Sequence, residues 1–323
     1  MFKVLLLSSL FFANLTQAAQ QIKLAAIVPE GTSWGNSLKK LSKEVDTATG
    51  GEVSFKVYYG GVSGDEPDVL RKIRIGQLHG GIFTGNTLGA IYGDARAMEI
   101  PFTFYEDQKK ASDTLVKLTP AFNQGLKMKG FVNLGFYEIG QVYLVSTKKV
   151  ANLADLKGVK IWSWEGDELV AAMISSLGLV SVPLALPDVL SSLSTGIINA
   201  AYAPPLAILA LQWHTKIKYL VDFPTAFSIG ALLVADKAWS KVKPEHQQKI
   251  LEISKKYVQE ANEKSISESA AAKEQLKKSG IEFVSFPKDD YAKAASVRGE
   301  VVKKLQDKLI SSKAIGELDK AMK

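Results

Sequence analysis

Five tryptophans, three histidines and no cysteine limit the chemistry open to this 323-residue chain. Without cysteine there is no thiolate nucleophile, no disulfide and no lipidated cysteine. His79, His214 and His246 lie too far apart in sequence to suggest a zinc cluster. There is no phosphate loop or dinucleotide fingerprint. Asp167 and Glu168 stand together where a helix should begin, a common place for acidic residues because the helix dipole favours them there. The inventory favours binding over catalysis, and no cofactor or metal is expected.

The concentrated signal is aromatic. Leu153 to Trp164 reads as a turn feeding a short strand, on which Trp162 and Trp164 share one face while Val159 and Ile161 take the other. One face is then core, and the other is free to hold something flat and apolar or to form a second core layer. Trp34 stands just past the first expected strand, at the start of a helix. Phe83, Tyr202 and Trp213 fall at or soon after strand ends, with Pro204 beside them. Together these side chains describe the wall of an apolar cleft. A ligand there also needs a few polar groups to orient it. Thr84, Gln141, Glu165 and Gln212 are the candidates by segment, with Glu30 and His214 as further neighbours. Each also has a plainer reading, as a helix staple, a core layer or a solvated side chain.

These residues need elements to position them. Ile22–Val28, Val53–Tyr59 and Gly80–Thr84 are strand-like and separated by helical periodicity, which predicts a β-α-β-α-β opening on a parallel sheet. The run from Pro67 to Phe83 aligns without a gap on Pro187 to Ala203, an offset of 120 residues, and begins Pro-Asp-Val-Leu in both copies. Each copy reads as a proline-started helix, a glycine near its end (Gly76, Gly196) and an emerging strand. The expectation is two α/β lobes of like construction, each a doubly wound, mostly parallel sheet. Ligands of such sheets sit beyond the carboxyl ends of the strands, so Phe83–Thr84 and Ala203–Pro204 should face each other across a cleft. Gly135–Ser146 and Phe223–Val234 are placed to cross between lobes as a hinge. From Pro244 to about Ser279 there is no internal glycine or proline, and a continuous helix there would be about 50 Å long, enough to brace both lobes. The expected organisation is lobe I over 19–141 and 230–285, lobe II over 142–229, and a helical tail over 286–323.

Composition is ordinary for a globular protein, 46% hydrophobic and 23% charged. Of the 40 basic residues only Arg71, Arg74, Arg96 and Arg298 are arginine, and the lysines are spread over amphipathic helices. Nucleic-acid readers favour clustered arginine, so no nucleic-acid partner is expected. Lys3, the apolar stretch Val4–Ala13 and Thr16-Gln17-Ala18 read as a cleavable signal peptide over residues 1–18, which predicts an exported, unlipidated periplasmic protein.

Several phrases in their order, Gly64-Asp-Glu-Pro-Asp-Val-Leu-Arg-Lys-Ile-Arg-Ile-Gly-Gln-Leu78, Glu99-Ile-Pro-Phe-Thr-Phe104, Ala154-Asp-Leu-Lys-Gly-Val-Lys-Ile161 and Leu193-Ser-Thr-Gly-Ile-Ile-Asn199, resemble the DctP-type solute receptors of TRAP transporters. The resemblance covers essentially the whole mature chain. It implies a two-lobed periplasmic binding-protein fold that closes on an organic acid and delivers it to a membrane permease driven by an ion gradient. In typical members an arginine follows the Asp-Leu-Lys-Gly phrase; here Trp162 stands in its place, and Val142 in that of a second arginine. A buried carboxylate without a bidentate cationic partner is costly, several kcal/mol after relaxation. The departures are similar to a branch that works with a TPR-protein partner and has an apolar cleft. Two alternatives are an ordinary organic-acid receptor in which Lys148 or Lys160 supplies the charge, and a periplasmic scaffold or lipid carrier with the same fold.

Overall fold

The computed structural model describes residues 19–105 and 107–323. The expected signal peptide lies outside the described residues. Among the described residues ten strands form the sheet framework: β1 (Gln20–Ala25), β2 (Val53–Tyr58), β3 (Gly80–Thr84), β4 (Phe131–Ser146), β5 (Lys160–Ser163), β6 (Val180–Pro183), β7 (Ala200–Ala203), β8 (Tyr219–Val221), β9 (Ala226–Ala235) and β10 (Glu282–Val284). Their order, β2-β1-β3-β9-β4-β7-β5-β6, reads as two mirrored halves. In the first, β3 lies between parallel β1 and antiparallel β9; in the second, β7 lies between parallel β5 and antiparallel β4. The two-lobed α/β fold expected from the 120-residue offset is therefore present. The glycines that punctuate the two copies share one backbone state, φ 79° at Gly76 and φ 76° at Gly196. The turn from each helix into its strand requires this left-handed conformation, which glycine adopts at no steric cost.

The halves are joined by the long strands. β4 pairs with β9 from Phe131 to Val142, and its end then pairs with β7 and β8. A register shift between Glu138 and Gly140 bends the strand where it leaves one half for the other. Gly140 adopts φ 111° there. β10 pairs in parallel with β8. It therefore sits with the second half, although sequence had placed its segment in the first, because its pairing edge is set by the far end of the long helix.

That helix runs unbroken from Pro244 to Lys278. It packs on the helix Ser33–Ala48 of the first half, on β4, and on the helix Pro205–Ala210 of the second. Asn262, on this helix, takes the role of a neighbouring strand for β4: its Nδ2 donates to the Phe136 carbonyl at 2.9 Å and its Oδ1 accepts from the Glu138 amide at 2.9 Å. Asn262→Leu leaves both backbone groups without partners and is expected to lower stability by about 1–3 kcal/mol, read as a lower urea midpoint with unchanged slope. The tail also serves both halves. Its helix Lys288–Leu305 packs on Glu168–Ser176, and Ser312–Ala321 packs on Gln108–Met128.

Candidate functional site

Between the halves lies a cavity of about 150 Å³. The carboxyl ends of β3 and β7 meet at it, as open α/β sheets require: Thr84 lines one side, and Ala203 and Pro204 the other. Of the eleven residues expected at a ligand, seven line this cavity: Trp34, Thr84, Trp162, Trp164, Tyr202, Pro204 and Trp213. Ile27, Val28, Ile139 and Leu206 complete an almost wholly apolar wall.

The aromatic part is built from the second half. Trp162 stacks on Tyr202, with ring centroids 4.9 Å apart and 22° between planes. It meets Trp164 and Trp213 edge-on, at centroid distances of 4.9 Å and 5.5 Å. Stacked and edge-on arrangements are the ones the ring quadrupole favours. Alternation along β5 puts Trp162 on this layer, while Ile161 turns into the core opposite. The indole Nε1 of Trp162 donates to the Leu184 carbonyl at 3.0 Å, which fixes the ring, and only 2% of the residue is exposed. Trp162 thus combines the two expected readings, a core layer with one side on the cavity. Trp34 comes from the other half. Its ring is buried, and its Nε1 has no hydrogen-bond partner among the described residues.

Four expected residues are not on the cavity wall. Phe83 is fully buried on the opposite, core-facing side of β3, because its neighbour Thr84 takes the cavity side. Gln141 is buried beside Val142 but does not line the space. Glu165 and Gln212 are exposed, and Glu165 contributes only its carbonyl, which accepts from Asn86 Nδ2 at 2.9 Å. Glu30 is exposed and pairs with Lys39, and His214 lies off the cavity wall. Lys148 and Lys160 are exposed and do not line it either, so neither supplies a cation to this space.

Sequence reasoning passed over the polar end of the cleft. A smaller space of about 70 Å³ shares Thr84, Val142, Trp164, Tyr202 and Ser228 with the first and is lined in addition by Arg96, Glu99 and Asp167. Arg96 is 3% exposed. Its Nε lies 2.9 Å from Glu99 Oε2, and its Nη2 donates to Asp167 Oδ1 and Oδ2 at 3.1 and 3.3 Å. Glu99 belongs to the first half and Asp167 to the second, so this buried group ties the halves together. Two glycines make room for it: a Cβ at Gly89 would meet Arg96 Cγ at 2.9 Å, and one at Gly85 would meet Nη1 at 3.3 Å. Burial lowers the Arg96 pKa, but the Asp167 and Glu99 carboxylates outweigh it and the guanidinium stays charged. Burial pushes Glu99 up, against the opposing pull of Arg96 and of hydrogen bonds from Ile229 N and Ser228 Oγ. The available clue was that Arg96, one of four arginines, stands among Ala95, Ala97 and Met98.

Asp65 makes a second tie. Its Oδ1 caps the helix Glu66–Arg74, and its Oδ2 accepts from Trp164 Nε1 at 3.1 Å and from Leu186 N at 3.4 Å across the cleft. Next to it, Glu66 is 3% exposed, lines the cavity and accepts from Thr84 N and Oγ1, both at 2.8 Å. Burial pushes its pKa up to about 8, against the Thr84 hydrogen bonds and with the help of the Asp65 and Glu99 charges. Glu66 therefore keeps its proton in the folded protein and loses it in the unfolded chain through the range from the ordinary carboxyl value to about 8. The unfolded state binds fewer protons there, so this group makes stability fall as pH rises across that window. Glu66→Gln is expected to remove that slope: its stability relative to wild type improves from about pH 5 to about pH 9 in paired urea titrations.

Comparison with known proteins agrees with this architecture. Residues 24–309 match the family model DctP, bacterial extracellular solute-binding protein, family 7. The chain belongs to this family. A curated solute-binding protein of Chromohalobacter salexigens is 31% identical over 173 residues, 52% of this chain and half the length of that relative. Among solved structures, a TRAP periplasmic solute-binding protein of Pseudomonas putida F1 with bound D-glucuronate superposes with a TM-score of 0.83 at 24% identity, covering 93% of this chain and 96% of that one. A Bordetella pertussis extracytoplasmic solute receptor binding pyroglutamic acid gives 0.86 at 20% identity, covering 94% and 99%. At these identities the superpositions show a common fold. The DctP-family chain is a solute-binding receptor, not an enzyme.

Proposed function

We propose that this receptor serves a TRAP-type secondary transporter in the periplasm, where residues 1–18 direct it, and captures an apolar or amphipathic organic acid for delivery to the membrane permease. The observation that carries the reading is the cavity wall itself. Trp34 from one half and Trp162, Trp164, Tyr202 and Trp213 from the other surround a space in which the cation at the polar end, Arg96, is already paired. Burial of an apolar body, at roughly 25 cal/mol per Å² before ordering costs, supplies most of the affinity. The acid class is suggested by D-glucuronate and pyroglutamic acid in the two similar structures. The apolar part of the proposal comes from this chain's own wall. A TPR-containing periplasmic protein is the proposed additional partner, since the departures at Trp162 and Val142 resemble that branch.

Native mass spectrometry of the protein purified from its own host tests this. The expected result is a co-purifying organic acid with an extended apolar portion, released on unfolding. A small, fully hydrophilic acid as the tightly held species contradicts the reading. A protein that carries no adduct and does not close in solution scattering with candidate solutes supports a scaffold instead.

A further inference from the structure

We propose that Asp167 is a built-in counter-ion that occupies the anion seat on Arg96, and so sets the specificity of the cleft against small solutes whose carboxylate would have to be buried. The inference rests on the cleft being the ligand site and says which acids it refuses. Arg96 is the cation of the cleft interior, and its Nη2 is spent on both oxygens of Asp167 at 3.1 and 3.3 Å. Its Nε side faces Glu99 at 2.9 Å, and Glu99 is anchored in turn by Ser228 Oγ and Ile229 N on β9. A third carboxyl group, from a solute, would have to enter a site screened from water where two carboxyl groups already occupy the Nε and Nη2 sides of the one arginine. Asp167 is also placed as a ligand would be. It comes from the second half, reaches the arginine across the cleft, and stands at the end of the space shared by Thr84, Trp164 and Tyr202. The amphipathic acids proposed above are compatible with this only if their carboxylate stays outside the Arg96 seat.

The substitution that vacates the seat must keep the second role of Asp167, which caps the helix Glu168–Ser176 through the Val170 amide. Serine caps equally well and removes the charge while making the side chain smaller. A solute carboxylate bound to Asp167→Ser restores the charge count of the wild type, one arginine between two carboxylates. Calorimetric titration with acetate and with D-glucuronate, as probes of a small and a larger acid, is the experiment. The expected result is no saturable binding to the wild type in the millimolar range, at least a tenfold gain for one probe in Asp167→Ser, and loss of that gain when Arg96→Gln is added. Asp167→Asn, which keeps shape and cap and removes only charge, is expected to gain acetate binding and decides the matter if the serine variant is unfolded by near-ultraviolet circular dichroism. The proposal is overturned if the wild type binds either probe as tightly as the variants do, or if the folded variants gain nothing. Absence of an apolar solute from the aromatic wall would leave this outcome unchanged, so the two readings fail separately.

Discussion

Arg96→Met is expected to lower stability by about 3–5 kcal/mol, among the largest single effects in this chain. Methionine fills the trough over Gly85 and Gly89 about as well as the arginine stem does, so the loss is not one of packing. It comes from Glu99 and Asp167, which are 5% and 4% exposed and lose their cation at once. Desolvation already pushes Glu99 up, and without Arg96 the strongest pull against that shift is gone. The defect should therefore shrink as pH falls and protonation relieves the buried charges, which a cavity-forming substitution would not do. Urea midpoints of wild type and Arg96→Met across acidic and neutral pH check both the size and the direction. Because the cluster joins the halves, the variant should also be more open in solution scattering. A difference that stays constant with pH would mean that Arg96 contributes through shape alone.

The second large effect is expected at Trp162. This residue is 2% exposed and stacked on Tyr202, with Trp164 and Trp213 edge-on. Truncation to alanine is expected to cost about 3–5 kcal/mol of stability. Solute binding should fall with it, by about two orders of magnitude if the lost ring area is apolar contact worth roughly 2–3 kcal/mol. Trp162→Phe separates these consequences: it keeps a ring on the layer, gives up the hydrogen bond to Leu184, and should retain most of the fold while weakening binding less than alanine does. Added salt should change the affinity of the wild type little, because the contact is apolar and no exposed charge pair forms. Unchanged affinity in a folded alanine variant would place the solute elsewhere.

Much of the architecture is legible in the sequence. The repeated Pro-Asp-Val-Leu phrase, the left-handed glycines at 76 and 196 and the uninterrupted run from Pro244 are local signals, and they describe elements whose local propensity and tertiary role agree. The aromatic wall is legible for the same reason, since period-two alternation along β5 assigns Trp162 and Trp164 to one face. What could not be read was pairing across the cleft. Nothing near Arg96 in sequence announces Asp167, 71 residues away, and nothing near Asp65 announces its bond to Trp164, 99 residues on. Glu66 was hidden in a different way. At a helix start it passes for a dipole-stabilised surface acid, and only burial beneath the cavity makes it a group that keeps its proton. β10 was misplaced because strand partners depend on where the long helix delivers the chain.

A crystal structure of the receptor purified from its own host, with its co-purified solute retained, bears on all of this at once. The apolar body of the solute should lie against Trp162, Tyr202 and Trp213, with Trp34 opposite and the Arg96–Asp167 pair intact. A solute whose carboxylate is seated on Arg96, with Asp167 displaced and the aromatic wall untouched, would contradict it.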